Sequence, residues 1–320
     1  MRRALVTGIN GQDGSYLAEF LLARGYQVIG LVREDASDRL DRIHHIRSQL
    51  QIVQGSLLDD ALLRRVLEQH RPDEIYNFAA RASSSQLLTD PTLTAEYNGL
   101  AVVRMLEAIR TINPSIRFCQ ASSSEMFGAV SQTPQNELTP FRPRNPYGVA
   151  KLFAHGMVGT YRENFGVFGC SAVLFNHESP RRGPEFVTRK ISMSVARIRA
   201  GLARSLPLGD LDVTRDWGFA GDYVRAMWQM LQAEVADDYV VATGVSHSVR
   251  EFCELAFDHV GLDYRAYVQT DPRVRRAPES KPFLGDASKV RRELGWQPSI
   301  TFEQLVTMMV DADIVAQQVA

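Results

Sequence analysis

The chain has 320 residues, 45% of them apolar and 23% charged, enough for a large core and without the composition of a disordered or fibrous protein. A formal net charge of −1 excludes a broad positive field for nucleic acid or an anionic membrane, so the expected partner is a small molecule. No apolar run approaches the roughly 18 residues of a membrane span, the N-terminus runs from Met1 straight into a glycine-bearing motif, and a cytoplasmic location is expected.

In chain order, residues 4–7, 27–32, 51–53, 74–78, 116–119 and 168–174 read as strands, with helical periodicity between them. That alternation forces a parallel sheet covered by helices on both faces, so residues 1–175 are expected to form a doubly wound α/β domain. From about Asn176 the rhythm changes. Residues 186–200 and 223–233 read as helices, 271–282 as a loop rich in arginine and proline, and 287–295 and 301–319 as closing helices. A smaller, mostly helical lobe over 176–320 is therefore expected, with residues near 212–245 returning to the first domain. Cys119, Cys170 and Cys253 are odd in number, far apart and set among apolar residues, which predicts three core thiols and neither a disulfide framework nor a metal site.

Directly after the first strand comes Thr7-Gly-Ile-Asn-Gly-Gln-Asp-Gly14, followed by an apolar helix. Glycines at Gly8, Gly11 and Gly14 permit a tight turn and let backbone approach a pyrophosphate, whose charge meets the positive end of the helix. This is the short-chain dehydrogenase spacing of the dinucleotide fingerprint. About twenty residues on, the second strand ends in Val32-Arg33-Glu34-Asp35. Arg33 would pair a 2′-phosphate and favour NADP, whereas Glu34 or Asp35 would accept from a free 2′-hydroxyl and favour NAD.

Further on, Asn145-Pro-Tyr147-Gly-Val-Ala-Lys151 opens a helical stretch. The four-residue separation puts Tyr147 and Lys151 on one helix face, where an ammonium would favour the phenolate and make Tyr147 a usable base. Between these motifs lies Ala121-Ser-Ser-Ser-Glu125-Met-Phe-Gly128, next to the fifth strand, where open α/β sheets expose residues to a ligand crevice. The hydroxyls of Ser122, Ser123 and Ser124 suit a substrate oxygen. Glu125 adds a second acid/base that plain alcohol oxidation would not require.

Together with Asn176-His-Glu-Ser-Pro-Arg-Arg-Gly183, Phe186-Val-Thr-Arg-Lys190 and Thr214-Arg-Asp-Trp-Gly218, these residues closely resemble the GDP-mannose 4,6-dehydratases, from Met1 to roughly Trp296. The resemblance implies a Rossmann-type fold of the extended short-chain dehydrogenase class, and an internal redox cycle that consumes no nucleotide. Tyr147 would take the proton of the sugar 4-hydroxyl while hydride leaves C4, with Lys151 lowering the tyrosine pKa and holding the nicotinamide ribose. Glu125 would remove the acidified C5 proton and assist departure of the 6-hydroxyl before hydride returns to C6. Ser123, where the family has threonine, would contact the 4-oxygen. By the same resemblance Gly8, Gly11, Gln12, Asp13, Gly14, Arg33, Ser56, Leu57 and Ala79 would join Tyr147 and Lys151 around NADP or NAD. Asn176, Lys190, Arg215 and Arg276 would bind the GDP part of the substrate, with Glu279 near its ribose. Arg181 and Arg182 fall in the family's subunit-contact loop, where they would reach a neighbour's cofactor phosphate in a homodimer or homotetramer.

Four positions depart from the pattern. Glu34 replaces the second of two arginines, Ser56 an aspartate expected to meet adenine, and Lys281 an aspartate near the nucleotide pocket, while Arg81-Ala-Ser-Ser84 replaces glutamine-serine-histidine beside the sugar. These leave open another GDP-hexose or GDP-heptose as substrate. An epimerase or ketoreductase on the same scaffold would need Tyr147 and Lys151 but not Glu125, and a silent dinucleotide-binding sensor or assembly subunit would need none of these catalytic residues.

Overall fold

The computed structural model describes residues 1–33, 40–81, 90–130, 132–271 and 283–319. Strands β1 (Arg3–Thr7), β2 (Gln27–Val32), β3 (Leu50–Gln54), β4 (Glu74–Asn77), β5 (Arg117–Ser123) and β6 (Gly169–Leu174) alternate with helices α1 (Gln12–Leu22), α2 (Asp60–His70), α3 (Pro91–Ala95), α4 (Ala101–Ile112) and α5 (Pro146–Phe165). After a short β7 (Asn176–Glu178) come α6 (Val187–Arg199), β8 (Leu206–Leu208), β9 (Thr214–Arg215), β10 (Trp217–Phe219), α7 (Ala220–Gln232) and β11 (Tyr239–Val241). The described chain closes with β12 (His247–Ser248), α8 (Val249–Asp258), β13 (Val268–Thr270), α9 (Ser288–Leu294) and α10 (Phe302–Val319).

Seven strands form one sheet in the order β11-β6-β5-β4-β1-β2-β3, every pair parallel. The α/β expectation therefore holds, with one strand more than the six read from sequence. Side chains alternate across β1: Ala4 and Val6 join a core with Leu17 and Leu21 of α1 and Met227 of α7, while Leu5 joins Ile29, Ile75 and Phe118 against α2, α4 and α5. A third core unites Ile191 and Val195 of α6, Phe252 and Phe257 of α8, Met309 of α10, and Trp217. Three two-stranded pairings, β10 with β7, β12 with β9 and β13 with β8, accompany these helices among the described residues.

The order of the sheet reverses at β1, whose neighbours β2 and β4 lead off in opposite directions. In such sheets the crevice for ligands opens at the carboxyl ends of the strands flanking the reversal. A buried polar row marks this end: Thr7 Oγ1 donates to Asn77 Oδ1, Asn77 Nδ2 to Gln120 Oε1 at 2.8 Å, and Gln120 Nε2 to the Ala121 carbonyl at 2.9 Å. Each amide is thereby satisfied away from water, as buried polar groups require, and the ends of β1, β4 and β5 are tied together. Among the described residues no helix is long and apolar enough to cross a membrane.

Candidate active site

Gly8 follows β1 with φ of +65°, and a Cβ there would lie 3.0 Å from the Ala79 nitrogen just beyond β4. Its amide donates to the Leu31 carbonyl. A Cβ on Gly14 would meet Gly8 O at 2.4 Å and Ile9 Cα at 2.6 Å, so only glycine lets α1 begin this close to the turn. Gly11 caps α1 through backbone alone, without a side-chain acceptor, which leaves the positive end of an 11-residue helix facing the crevice. This cradle fits a dinucleotide pyrophosphate. The Ala79 amide is itself fixed by Thr7 Oγ1 at 3.1 Å.

The side chains of Gln12 and Asp13 turn instead to the 177–179 segment. Gln12 donates to the His177 carbonyl and accepts from Ser179, and Asp13 Oδ2 meets His177 Nε2 at 2.9 Å. Burial alone would push Asp13 up, but the charge and hydrogen bond of His177 carry it below its ordinary value. In His177 burial works downward and is overcome by Asp13, so the imidazole is raised. The ring also receives Tyr223 in a stack with centroids 4.8 Å apart, and Nδ1 faces the Phe175 carbonyl. Arg33 ends the described stretch after β2, and Glu34 and Asp35 lie outside the described residues. Ser56 Oγ takes the Leu58 amide and meets the Tyr97 hydroxyl at 3.3 Å, while Leu57 is buried under the sheet.

Strand β5 runs on through Ser123, paired with Leu174, rather than ending at Cys119 as its sequence suggests, because parallel pairing to β6 continues through the serines. Ser123 is thus the last strand residue, and its Oγ accepts the Glu125 amide at 3.2 Å to open the turn Ser124–Met126. Ser122 Oγ is buried with no hydrogen-bond partner among the described residues. Helix α5 starts with Asn145 as cap and Pro146 in its first turn, the arrangement favoured at helix N-termini. Asn145 Oδ1 accepts the Gly148 amide at 2.8 Å, and Asn145 Nδ2 donates to Glu125 Oε2 at 2.8 Å.

Lys151 is 2% exposed and donates to the Ala121 carbonyl at 2.6 Å. Burial lowers its ammonium to about 8, Asp13 working against that fall. Its Nζ lies 5.6 Å from the centre of the Tyr147 ring. Burial pushes the Tyr147 phenol up to about 12, a hydrogen bond from Ser123 pulls it back, and the charge of Glu125 adds to the rise. Desolvation thus outweighs the Ser123 hydrogen bond, and the phenol stays protonated at neutral pH. Ser123, Glu125, Tyr147 and Lys151 are brought to one place at the end of β5 and the start of α5.

Arg181 is held within its own chain by Ser15 and Glu19 of α1 and lies 4.1 Å over the Tyr16 ring. Arg182 pairs with Glu178 at 3.1 Å and stacks on Phe186, and its charge is felt by Asp13, His177 and Tyr147. Of the expected substrate residues, Asn176 in β7 pairs with Trp217, close in sequence to Arg215, which pairs with His247 and bridges to Phe283. Lys190 in α6 is directed at the Pro207 carbonyl. Arg276, Glu279 and Lys281, with Ser83 and Ser84, lie outside the described residues.

Two residues were not singled out from sequence. Asn145 is signalled only by the Asn-Pro pair of a helix start. Asp216, fully buried, accepts from Thr243 N at 2.9 Å, Thr243 Oγ1 at 2.6 Å, Gly244 N at 2.9 Å and Gly285 N at 3.3 Å, gathering three segments beside Arg215. Burial nonetheless raises its carboxyl.

The family model described as GDP-mannose 4,6 dehydratase matches residues 5–309, which carries the likeness beyond Trp296 into α10. GDP-mannose 4,6 dehydratase 1 of Arabidopsis thaliana is 48% identical over 323 residues, covering 97% of this chain and 89% of that protein. The GDP-mannose 4,6 dehydratase of Homo sapiens is 43% identical over 339 residues, covering 97% and 91%. Among solved structures, RMD from Pseudomonas aeruginosa complexed with NADPH superposes with a TM-score of 0.84 at 25% identity, covering 99% of this chain and 100% of that one. The dTDP-glucose 4,6-dehydratase of Bacillus anthracis in complex with NAD gives 0.86 at 24% identity over 99% and 98%, a likeness of fold. With the Gly8 to Gly14 cradle and the Ser123, Glu125, Tyr147 and Lys151 cluster at the sheet reversal, and a family match over nearly the whole length, the chain belongs to the GDP-mannose 4,6-dehydratase family.

Proposed function

We propose that the protein is a lyase that converts GDP-mannose to GDP-4-keto-6-deoxy-mannose with loss of one water. The observation that carries this reading is the convergence of a phenol, a buried ammonium and a carboxylate beside the dinucleotide cradle. A bound NAD(P) supplies the site that takes hydride from C4 and returns it at C6. Tyr147, acting as phenolate beside Lys151 when substrate and dinucleotide are bound, accepts the proton of the 4-hydroxyl, and Ser123 holds the 4-oxygen. Glu125 accepts the proton from C5 and passes it to the departing 6-hydroxyl, which leaves as water, and as hydride returns to C6 the proton that Tyr147 took from the 4-hydroxyl is delivered to C5. Placement of Glu125 against Tyr147 favours this over epimerisation or simple ketone reduction, neither of which requires that carboxylate.

Gly8, Gly11 and Gly14 give backbone room to the pyrophosphate, Ala79 lies against Gly8 at the same crevice, and Ser56 and Leu57 serve the adenine side. Arg33 favours NADP. Residues 1–175 with about 212–245 hold the dinucleotide, a division supported by the pairing of β11 with β6 and by α7 against α1. The rest of 176–320 takes the GDP-sugar through Asn176, Lys190, Arg215, Arg276 and Glu279. The working form is a cytoplasmic homodimer or homotetramer, an assembly supported by the exposed apolar Leu100, Val149 and Phe153 around α4 and α5, with Arg181 and Arg182 near the subunit contact.

The test is incubation of purified protein with GDP-mannose, with NADP and NAD supplied separately, followed by mass spectrometry and NMR. Loss of one water to a 4-keto-6-deoxy product without net consumption of the nucleotide is expected, faster with NADP. Net consumption of NAD(P)H would make the protein a reductase, and tight dinucleotide binding without turnover of any GDP-hexose would make it a silent binder.

A further inference from the structure

The carboxylate of Glu125 has one hydrogen-bonding partner among the described residues, the side-chain amide of Asn145 at 2.8 Å. The orientation of that amide is fixed by its other end. Asn145 Oδ1 accepts the Gly148 amide at 2.8 Å, so the NH2 group must face Glu125, where only an acceptor satisfies it. The first turn of α5 is pressed onto the same place: a Cβ on Gly148 would lie 2.6 Å from the Glu125 carbonyl oxygen. Tyr147 stands two residues from Asn145, inside that turn. One side chain therefore references the carboxylate to the backbone that carries the phenol.

We infer that Asn145 is a positioning residue for elimination, holding Glu125 at a fixed place relative to Tyr147 so that one bound sugar is served at O4 and then at C5 without moving. The inference rests on the proposed role of Glu125 in accepting the C5 proton. Asn145 touches neither substrate nor cofactor in this scheme and acts through Glu125. Its effect falls on the second half of the reaction, in which the C5–H bond breaks with its proton passing to Glu125 and the C6–O bond breaks with water as leaving group. Oxidation at C4 depends on Tyr147 and Lys151 and is left intact.

A helix cap alone would also explain an asparagine here, and substitution separates the two roles. Serine and aspartate both cap helices about as well as asparagine. Serine removes the donor to Glu125, and aspartate replaces it with a like charge. In single-turnover reactions of the full chain loaded with NADP, Asn145→Ser is expected to keep its melting temperature, its dinucleotide affinity and its rate of reduced-nicotinamide formation. Water loss and solvent deuterium uptake at C5 slow by about 10- to 100-fold, the span of a hydrogen bond to a charged group, so the reduced nicotinamide accumulates. Asn145→Asp slows elimination at least as much. Elimination at the wild-type rate in both variants, or equal slowing of both half-reactions, overturns the inference. Glu125→Gln, run alongside, distinguishes the failures: if it blocks elimination while the Asn145 variants do not, Asn145 alone has been misread, and if it leaves elimination intact, the role of Glu125 falls and this inference with it.

Discussion

Replacing Lys151 by methionine should stabilise the unliganded protein while abolishing turnover. A lysine that titrates at about 8 instead of 10.5 carries about 3 kcal/mol of penalty on its charged form at neutral pH. Methionine fills much of the same volume without charge. It strands the Ala121 carbonyl, a buried acceptor whose loss of its partner costs about 1–3 kcal/mol, leaving a net gain of at most about 2 kcal/mol. That corresponds to a rise of at most about 3 °C in Tm for a chain of this size. The pH dependence carries an independent sign. The unfolded chain keeps the lysine proton up to 10.5 whereas the folded one releases it near 8, so between these values the unfolded state binds more protons. Wild-type stability therefore gains from this group as pH rises through that window, and Lys151→Met lacks the gain. Thermal unfolding followed by circular dichroism at pH 7 and across that window measures both effects. A lower Tm for the variant at neutral pH, or an unchanged slope above pH 8, would refute the argument that this buried ammonium is held at a cost to the fold.

Tyr147→Phe is expected to lower turnover by about 10²- to 10⁴-fold, the worth of a positioned acid/base, with dinucleotide affinity by calorimetry unchanged; near-native turnover would remove Tyr147 from the mechanism. Gly14→Ala drives a Cβ into the backbone of Gly8 and Ile9, costing about 1–3 kcal/mol as overpacking does and weakening dinucleotide binding, so native Tm and affinity together would contradict the cradle. For the raised His177, stabilisation by Asp13 is complete below the ordinary value of 6.5 and is lost as pH rises through the folded value. His177→Gln should flatten that fall in Tm, and an unaltered profile would show that the pair contributes nothing to stability.

Local periodicity made the first half of the fold legible. Gly8 and Gly11 occupy the turn after β1 and Gly14 the first turn of α1, where their spacing puts them, and the four-residue step from Tyr147 to Lys151 lies in α5. What the sequence hid depends on contacts between distant segments. β11 is three residues long, and only its pairing with β6 makes it a seventh strand. The end of β5 was misjudged because Ser122 and Ser123 lack strand propensity, and their register with Val173 and Leu174 overrides it. Asp13 and His177 meet across 164 positions, and no local signal marks Asp216 as the acceptor for two distant turns. Nor does spacing give the state of Tyr147, since burial, which pushes its phenol up to about 12, is a property of the packed site.

The pairing of β11 with β6 also bears on how the chain is made. During synthesis the first six strands are complete once residue 174 has emerged, yet the neighbour that closes β6 begins at Tyr239. Until those further residues leave the ribosome, β6, whose six residues are all buried in the finished protein, stands as a bare edge. Such an edge is a template for pairing with another nascent chain. The stretch that builds β7, α6 and α7 is translated in that interval, so the nascent protein passes through a period when its largest sheet is formed and unprotected. Slower elongation between codons 175 and 241 should therefore raise the aggregated fraction at synthesis without changing the stability of the protein that escapes it.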